Sequence, residues 1–211
     1  MSDRPRLLDL FCGAGGCAAG YARAGFEVHG VDLADQPRYP LSGASSFTRA
    51  DALGFVQAHG REYDVIHSSP PCQAYSRATA WRGDRSRHQD LIARTREALN
   101  ATGRPWVIEN VPCAARHMCS PVLLCGTMFG LRVRRHRLFD LSAGFLLTPP
   151  CRHRPGDYSF DHGSTGRTEG AYRDAMGVNW MTVKESRQAI PPAYTEAIGR
   201  ALLRVLEVAC A

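Results

Sequence analysis

The chain has 211 residues, 44% of them hydrophobic and 22% charged, and a formal net charge of +6. That balance excludes a disordered or fibrous chain and suits one globular domain with a buried core, while the positive charge favours a polyanionic partner. No apolar run approaches the roughly 18 residues of a membrane span, and Met1 to Arg4 lack a signal peptide's apolar stretch, so a cytoplasmic protein is expected.

In chain order, Arg6 to Phe11 is a short apolar run ending in a glycine-rich turn, and is predicted to be a buried strand. Residues 16–24 are small and helix-compatible, and Glu27 to Asp32 follows as a second strand. A connection containing Pro37 and Pro40 leads to a short helix over 51–59. Tyr63 to His67 is a third strand, stopped by Pro70 and Pro71. A helix is expected over 89–99, with Leu91, Ile92, Thr95 and Leu99 near one face. Further strands are expected over 105–109 and 137–141. From Thr148 to Gly177 the chain is rich in Pro, Gly, Arg, His and aromatics and reads as irregular. A closing helix covers about 191–208, where Ile198, Leu202, Val205 and Leu206 recur at helical spacing. Strands alternating with helices, with no repeat or dividing linker, predict an α/β doubly wound, mostly parallel sheet in a single domain, 1–211.

Two places carry chemistry. Gly13-Ala14-Gly15-Gly16-Cys17-Ala18 satisfies the G-x-G-x-x-G/A pattern between a strand and a helix, with Asp32 ending the next strand, where a carboxylate suits ribose hydroxyls. The turn alone is compatible with NAD, FAD or S-adenosylmethionine. Cys72 follows two prolines at the carboxyl end of the third strand, where such sheets gather their reactive groups. The other cysteines, at 12, 17, 113, 119, 125, 151 and 210, do not read as a disulfide framework. Cys113, Cys119, Cys125, Cys151 and His153 have zinc-ligand chemistry, but their spacing fits no standard finger, and no metal is expected.

Four segments in order, Asp9-Leu10-Phe11-Cys12-Gly13-Ala14-Gly15-Gly16, Pro71-Cys72-Gln73-Ala74-Tyr75-Ser76, Glu109-Asn110-Val111 and Arg135-His136-Arg137, resemble the signatures of the DNA cytosine-5 methyltransferase family. Gln188 to Ala193 resembles that family's closing motif, although Arg187 and Gln188 stand where Gly-Asn is common, and Val133 replaces a usual Gln. The resemblance implies a Rossmann-like class I methyltransferase fold and S-adenosylmethionine as cofactor, leaving S-adenosylhomocysteine as product. It implies Cys72 as covalent nucleophile toward cytosine carbon 6, Glu109 as the acid at ring nitrogen 3, Arg137 at the cytosine O2 and Arg135 as an orienting group. Phe11, Gly13, Gly15, Asp32, Leu33, Asp51 and Pro71 would hold the cofactor, with Leu91 a weaker candidate.

Duplex DNA is the expected partner of a monomer, with the target base flipped out of the stack. Gln73, Ser76 and the loop carrying Arg77, Trp81, Arg82, Arg85 and Arg87 would close on it, and Arg132 and Arg134 are expected to meet phosphate or solvent instead. Residues 141–176 fall where the family has a large base-reading region, and 177–211 return to the core; Arg152, Arg154, Arg167 and Arg173 are the candidate readers, with His153, Tyr158 and His162 assisting. So short a region predicts a recognition site of two or three bases including a guanine. The alternatives are a tRNA cytosine-5 methyltransferase, whose characteristic Cys-Phe-Thr segment is missing, and an inactive DNA-binding module, against which the joint retention of Cys72, Glu109 and Arg137 argues. A nicotinamide enzyme would leave every motif after the glycine turn unexplained.

Overall fold

The computed structural model describes residues 4–75, 84, 89–144, 146–159 and 169–209. Seven strands form one sheet: β1 (Arg6–Leu10), β2 (Glu27–Asp32), β3 (Ser46–Arg49), β4 (Val65–Ser68), β5 (Trp106–Asn110), β6 (Val122–Leu124) and β8 (Arg137–Leu141). Their order is β3-β2-β1-β4-β5-β8-β6, and β8 alone runs antiparallel to its neighbours. The chain thus reverses its direction of travel across the sheet at β1 and β4. That is the switch point at which doubly wound sheets leave a crevice for ligands.

Alternation along β1 explains the two layers. Leu7 faces Val28, Val65, Phe139 and the helices α1 (Gly16–Ala24) and α6 (Pro192–Ala209), whose Tyr21, Tyr194, Ile198 and Leu202 fill that side. Leu8 and Leu10 face the other layer, where Val31, Ile66 and Ile108 meet α2 (Ala52–His59) and α3 (Ile92–Thr102) through Val56, Ala98 and Leu99. The central strands β4 and β5 are buried along their whole length, as strands covered on both faces must be. Asp51 caps α2 by accepting a hydrogen bond from the Gly54 amide at 2.7 Å. Among the described residues no helix is long and apolar enough to cross a membrane.

Some elements differ from expectation. Helix α3 starts at Ile92 rather than 89, where the Asp90 carboxylate accepts from the Ile92 amide at 3.1 Å. Strands β3 and β6 lie at the two sheet edges, and their short, half-exposed runs lack a clear alternating pattern. The stretch read as irregular contains a helix, α4 (Glu169–Met176). Tyr172, Ala175 and Met176 sit at helical spacing on its inner side and pack with Val133, Val178, Met181 and Ala14. Preceding it, β9 (Tyr158–Ser159) pairs in parallel with β7 (Val133–Arg134). Helix α5 (Val183–Gln188) follows, opened by a capping box of Thr182 and Glu185.

Candidate active site

The glycine turn is built by backbone conformation. Phe11 has φ +56°, a left-handed geometry that a bulky residue rarely adopts, and Gly13 and Gly15 continue at +50° and +84°. A side chain on Gly15 would collide with Ser42 at 2.7 Å, and one on Gly16 would meet the Ile190 carbonyl at 2.6 Å. The second contact brings the closing segment, 188–193, directly behind the turn. Trp180 adds a hydrogen bond from its indole to the Ala14 carbonyl at 2.9 Å. Asp32 fastens the turn to the end of β2, accepting from the Gly13 amide at 3.0 Å and the Ala34 amide at 2.9 Å.

Leu33, 72% exposed, follows Asp32, and Asp51 stands just after β3, so both share the carboxyl-end rim with Phe11, Gly13 and Asp32. One Asp51 oxygen is taken by the α2 cap. Pro71 lies exposed at the end of β4, and Leu91 immediately precedes α3. The rim fits an adenosine-bearing cofactor: nothing stands within 4 Å of where a Gly13 side chain would be, and a carboxylate sits beside it at the ribose position.

Cys72 sits half-buried beyond β4, in a turn closed by the Tyr75 amide on its carbonyl at 3.0 Å. The loop before it is tied to β5 by Asn110, whose buried amide donates to the Pro70 carbonyl at 3.0 Å. Glu109 on the same strand is only 6% exposed, and its Oε1 lies 3.1 Å from Nε of Arg137 on β8. Register accounts for the pairing, since β5 and β8 are neighbours and Glu109 stands opposite Phe139. Arg137 also donates to the His136 carbonyl at 2.8 Å. Arg135 is 2% exposed; it donates to the Arg187 carbonyl at 2.8 Å and the Tyr172 hydroxyl at 3.2 Å, joining the arginine segment to both α4 and the end of α5.

These contacts set the protonation states. Burial pushes the Glu109 carboxyl above its ordinary value, opposed by Arg137, Arg135 and a hydrogen bond from Ser69. Burial also raises the Cys72 thiol, with Glu109 adding to the rise and the two arginines opposing it. Arg135 is itself pushed down to about 10 by burial. Sequence reasoning missed the groups behind Glu109. The Ser69 hydroxyl is 2.9 Å from His67 Nε2, and His67 Nδ1 is 2.9 Å from the Tyr21 hydroxyl. Burial pushes His67 down to about 3, so the ring is neutral. A consistent donor order runs from the Tyr21 hydroxyl through His67 to the Ser69 hydroxyl.

Gln73, Arg152 and Arg154 are exposed, whereas Arg173 donates to the Met181 carbonyl at 2.8 Å. Ser76, Arg77, Trp81, Arg82, Arg85, Arg87, His162 and Arg167 lie outside the described residues. Of the sulfur and imidazole groups weighed as zinc ligands, Cys113 and Cys119 are exposed and stand apart, while Cys125, Cys151 and His153 converge.

A family model described as C-5 cytosine-specific DNA methylase matches residues 5–124. The Type II methyltransferase M.FnuDI of Fusobacterium nucleatum is 33% identical over 81 residues, covering 37% of this chain and 24% of that protein. M.XorII of Xanthomonas oryzae pv. oryzae, also a Type II methyltransferase, is 28% identical over 148 residues, covering 64% of this chain and 31% of that protein. The chain therefore spans a third or less of the length of these curated relatives. In fold it is similar to the Entamoeba histolytica methyltransferase EhMeth, with a TM-score of 0.61 at 10% identity over 97% of this chain and 99% of that one.

Proposed function

The chain belongs to the C-5 cytosine-specific DNA methylase family, and from that premise we propose that it methylates carbon 5 of cytosine in duplex DNA with S-adenosylmethionine as donor. The observation that carries the reading is the meeting of Cys72, Glu109 and Arg137 at the carboxyl end of the sheet, beside the glycine turn. Phe11, Gly13, Gly15, Asp32, Leu33, Asp51 and Pro71 would hold the cofactor, with Leu91 at the margin. When bound, S-adenosylmethionine supplies an electrophilic methyl group.

The protein's own residues activate the base, which must first be flipped out of the stack. The Cys72 thiolate forms a bond to carbon 6, and the displaced ring electrons make carbon 5 nucleophilic. Glu109, whose pKa burial raises, gives its proton to ring nitrogen 3 and so prevents charge from building there. Arg137, whose guanidinium lies beside Glu109, would meet the cytosine O2. Carbon 5 takes up the methyl group, and its proton then passes to solvent water, which restores the ring double bond and expels Cys72 as thiolate, while Glu109 recovers its proton from nitrogen 3.

Incubation with methyl-labelled S-adenosylmethionine should place label on cytosine carbon 5 of duplex DNA, and Cys72→Ala should abolish transfer while preserving cofactor binding. DNA carrying 5-fluorocytosine should trap an adduct, because fluorine cannot leave as a proton does. Label entering tRNA alone would reassign the substrate. An adduct mapped to another cysteine would overturn the role of Cys72.

A further inference from the structure

We propose that Cys125, His136, Cys151 and His153 form a structural zinc site that fastens the base-reading region to the catalytic arginine segment. Their ligand atoms all lie within 4.8 Å of one another. Cys151 Sγ is 2.8 Å from His153 Nε2 and 3.5 Å from His136 Nε2, and Cys125 Sγ is 3.4 Å from His153 Nε2. Zinc bonds of about 2.3 Å to sulfur and 2.0–2.1 Å to nitrogen, opened to the tetrahedral angle, put sulfur and nitrogen about 3.6 Å apart. Two of the observed spacings, 3.4 and 3.5 Å, lie close to that value, and the third, 2.8 Å, is shorter. Two thiols and two imidazoles make a complete tetrahedral donor set that leaves no open position, the mark of a structural rather than a catalytic site.

The surroundings fit the same reading. The Thr127 hydroxyl lies 3.5 Å from each of the two sulfurs, where it can donate to thiolates, as outer hydrogen bonds do around metal sites. Cys125 is fully buried while His153 is exposed, so the group runs from the core to the surface. The ligands come from three places: the residue before the short helix Gly126–Phe129, the link between β7 and β8, and the segment that follows β8. Thiol–imidazole hydrogen bonds are too weak to hold such a gathering by themselves.

The segment needs a fastening. Leu147 is 87% exposed, and Arg152, Arg154, Pro155 and Gly156 are also exposed, so this stretch has little core of its own. Small units of that kind are commonly held by a metal or a disulfide. His136 stands between Arg135 and Arg137, so the ion would grip the backbone that aims Arg137 at Glu109. The same ion would fix Arg152, which lies between two of its ligands.

The test is metal analysis of the full chain, purified without a histidine tag from zinc-supplemented medium. One zinc per chain is expected, retained in Cys113→Ala and Cys119→Ala and lost in Cys151→Ala. Should Cys151→Ala fail to fold, the exposed ligand gives a second variant, His153→Ala, expected to bind zinc more weakly against a competing chelator. Cobalt added to the chelator-treated chain should give thiolate-to-metal charge transfer and intense tetrahedral bands. Protein that is metal-free and gives no tetrahedral cobalt spectrum would overturn the site. So would zinc retained undiminished in both variants, or a disulfide joining Cys125 to Cys151.

Discussion

Glu109 and Cys72 are both pushed above their ordinary values, and the proposed reaction requires the first protonated and the second ionised. Below the Glu109 pKa the rate rises with pH as thiolate accumulates. Between the two values each gain in thiolate is matched by a loss of protonated carboxyl, so the profile is level; above the Cys72 value it falls. Glu109→Gln removes the proton that titrates. Its single-turnover rate should be on the order of 10²–10⁴ lower and should climb about tenfold per pH unit where the wild type is level, because only the thiolate then varies. A level profile for the variant would exclude Glu109 as the acid. At this scale the sequence is informative where chemistry dictates residue type at a strand end, as at Cys72, Glu109 and Arg137. It is silent on Ser69 and His67, because a serine and a histidine at a strand end carry no signal alone. They acquire meaning from register: β4 pairs with β5 so that Ser68 lies opposite Ile108, which sets Ser69 alongside Glu109.

Between elements, the bond from Asn110 to the Pro70 carbonyl ties the loop of the proposed nucleophile to the strand of the proposed acid. Asn110→Ala should leave that carbonyl unsatisfied in a buried place, at a cost of about 1–3 kcal/mol. In a chain of this size each kcal/mol lowers the melting temperature by roughly 2–4 °C. The chemical step should fall on the order of 10²-fold, since small misplacement of reacting groups has large effects, while cofactor affinity should hardly change. Thermal melts, calorimetry and single-turnover rates check the three parts; an unchanged rate would show that Pro70 and Pro71 hold Cys72 unaided. The long apolar elements were legible because burial writes itself into periodicity, as in β1 and α6. The sheet edges and α4 were not. At β3 the pattern is only four residues long, and in α4 the inward Tyr172, Ala175 and Met176 are separated by Arg173 and Asp174 within a stretch of polar composition. The Cys and His group is half visible: Cys125, Cys151 and His153 stand out by residue type, while His136 lies within the arginine motif and carries no signal of its own.

Across the whole molecule, the segment between β8 and α5 that is proposed to read DNA is short, and Arg173 in it is engaged with the Met181 carbonyl. Each good bidentate base contact discriminates by roughly 1–3 kcal/mol. Under the proposed function, Arg152 and Arg154, both exposed, are expected to specify about two or three bases, with a guanine beside the target cytosine. Sequencing of methylated cytosines in treated random-sequence DNA should show dense modification at such a site, and a strict longer site read by this chain alone would contradict it. The first and last helices impose a different order, one of time. Thr195 on α6 donates to the Cys17 carbonyl of α1 across 178 residues, and Ile190 closes on Gly16. Such distant pairings form slowly, after the intervening chain has been made. During translation the glycine turn leaves the ribosome long before the helix that braces it. The nascent protein thus carries its glycine turn in unfinished form, and α1 gains its covering only once α6 has emerged.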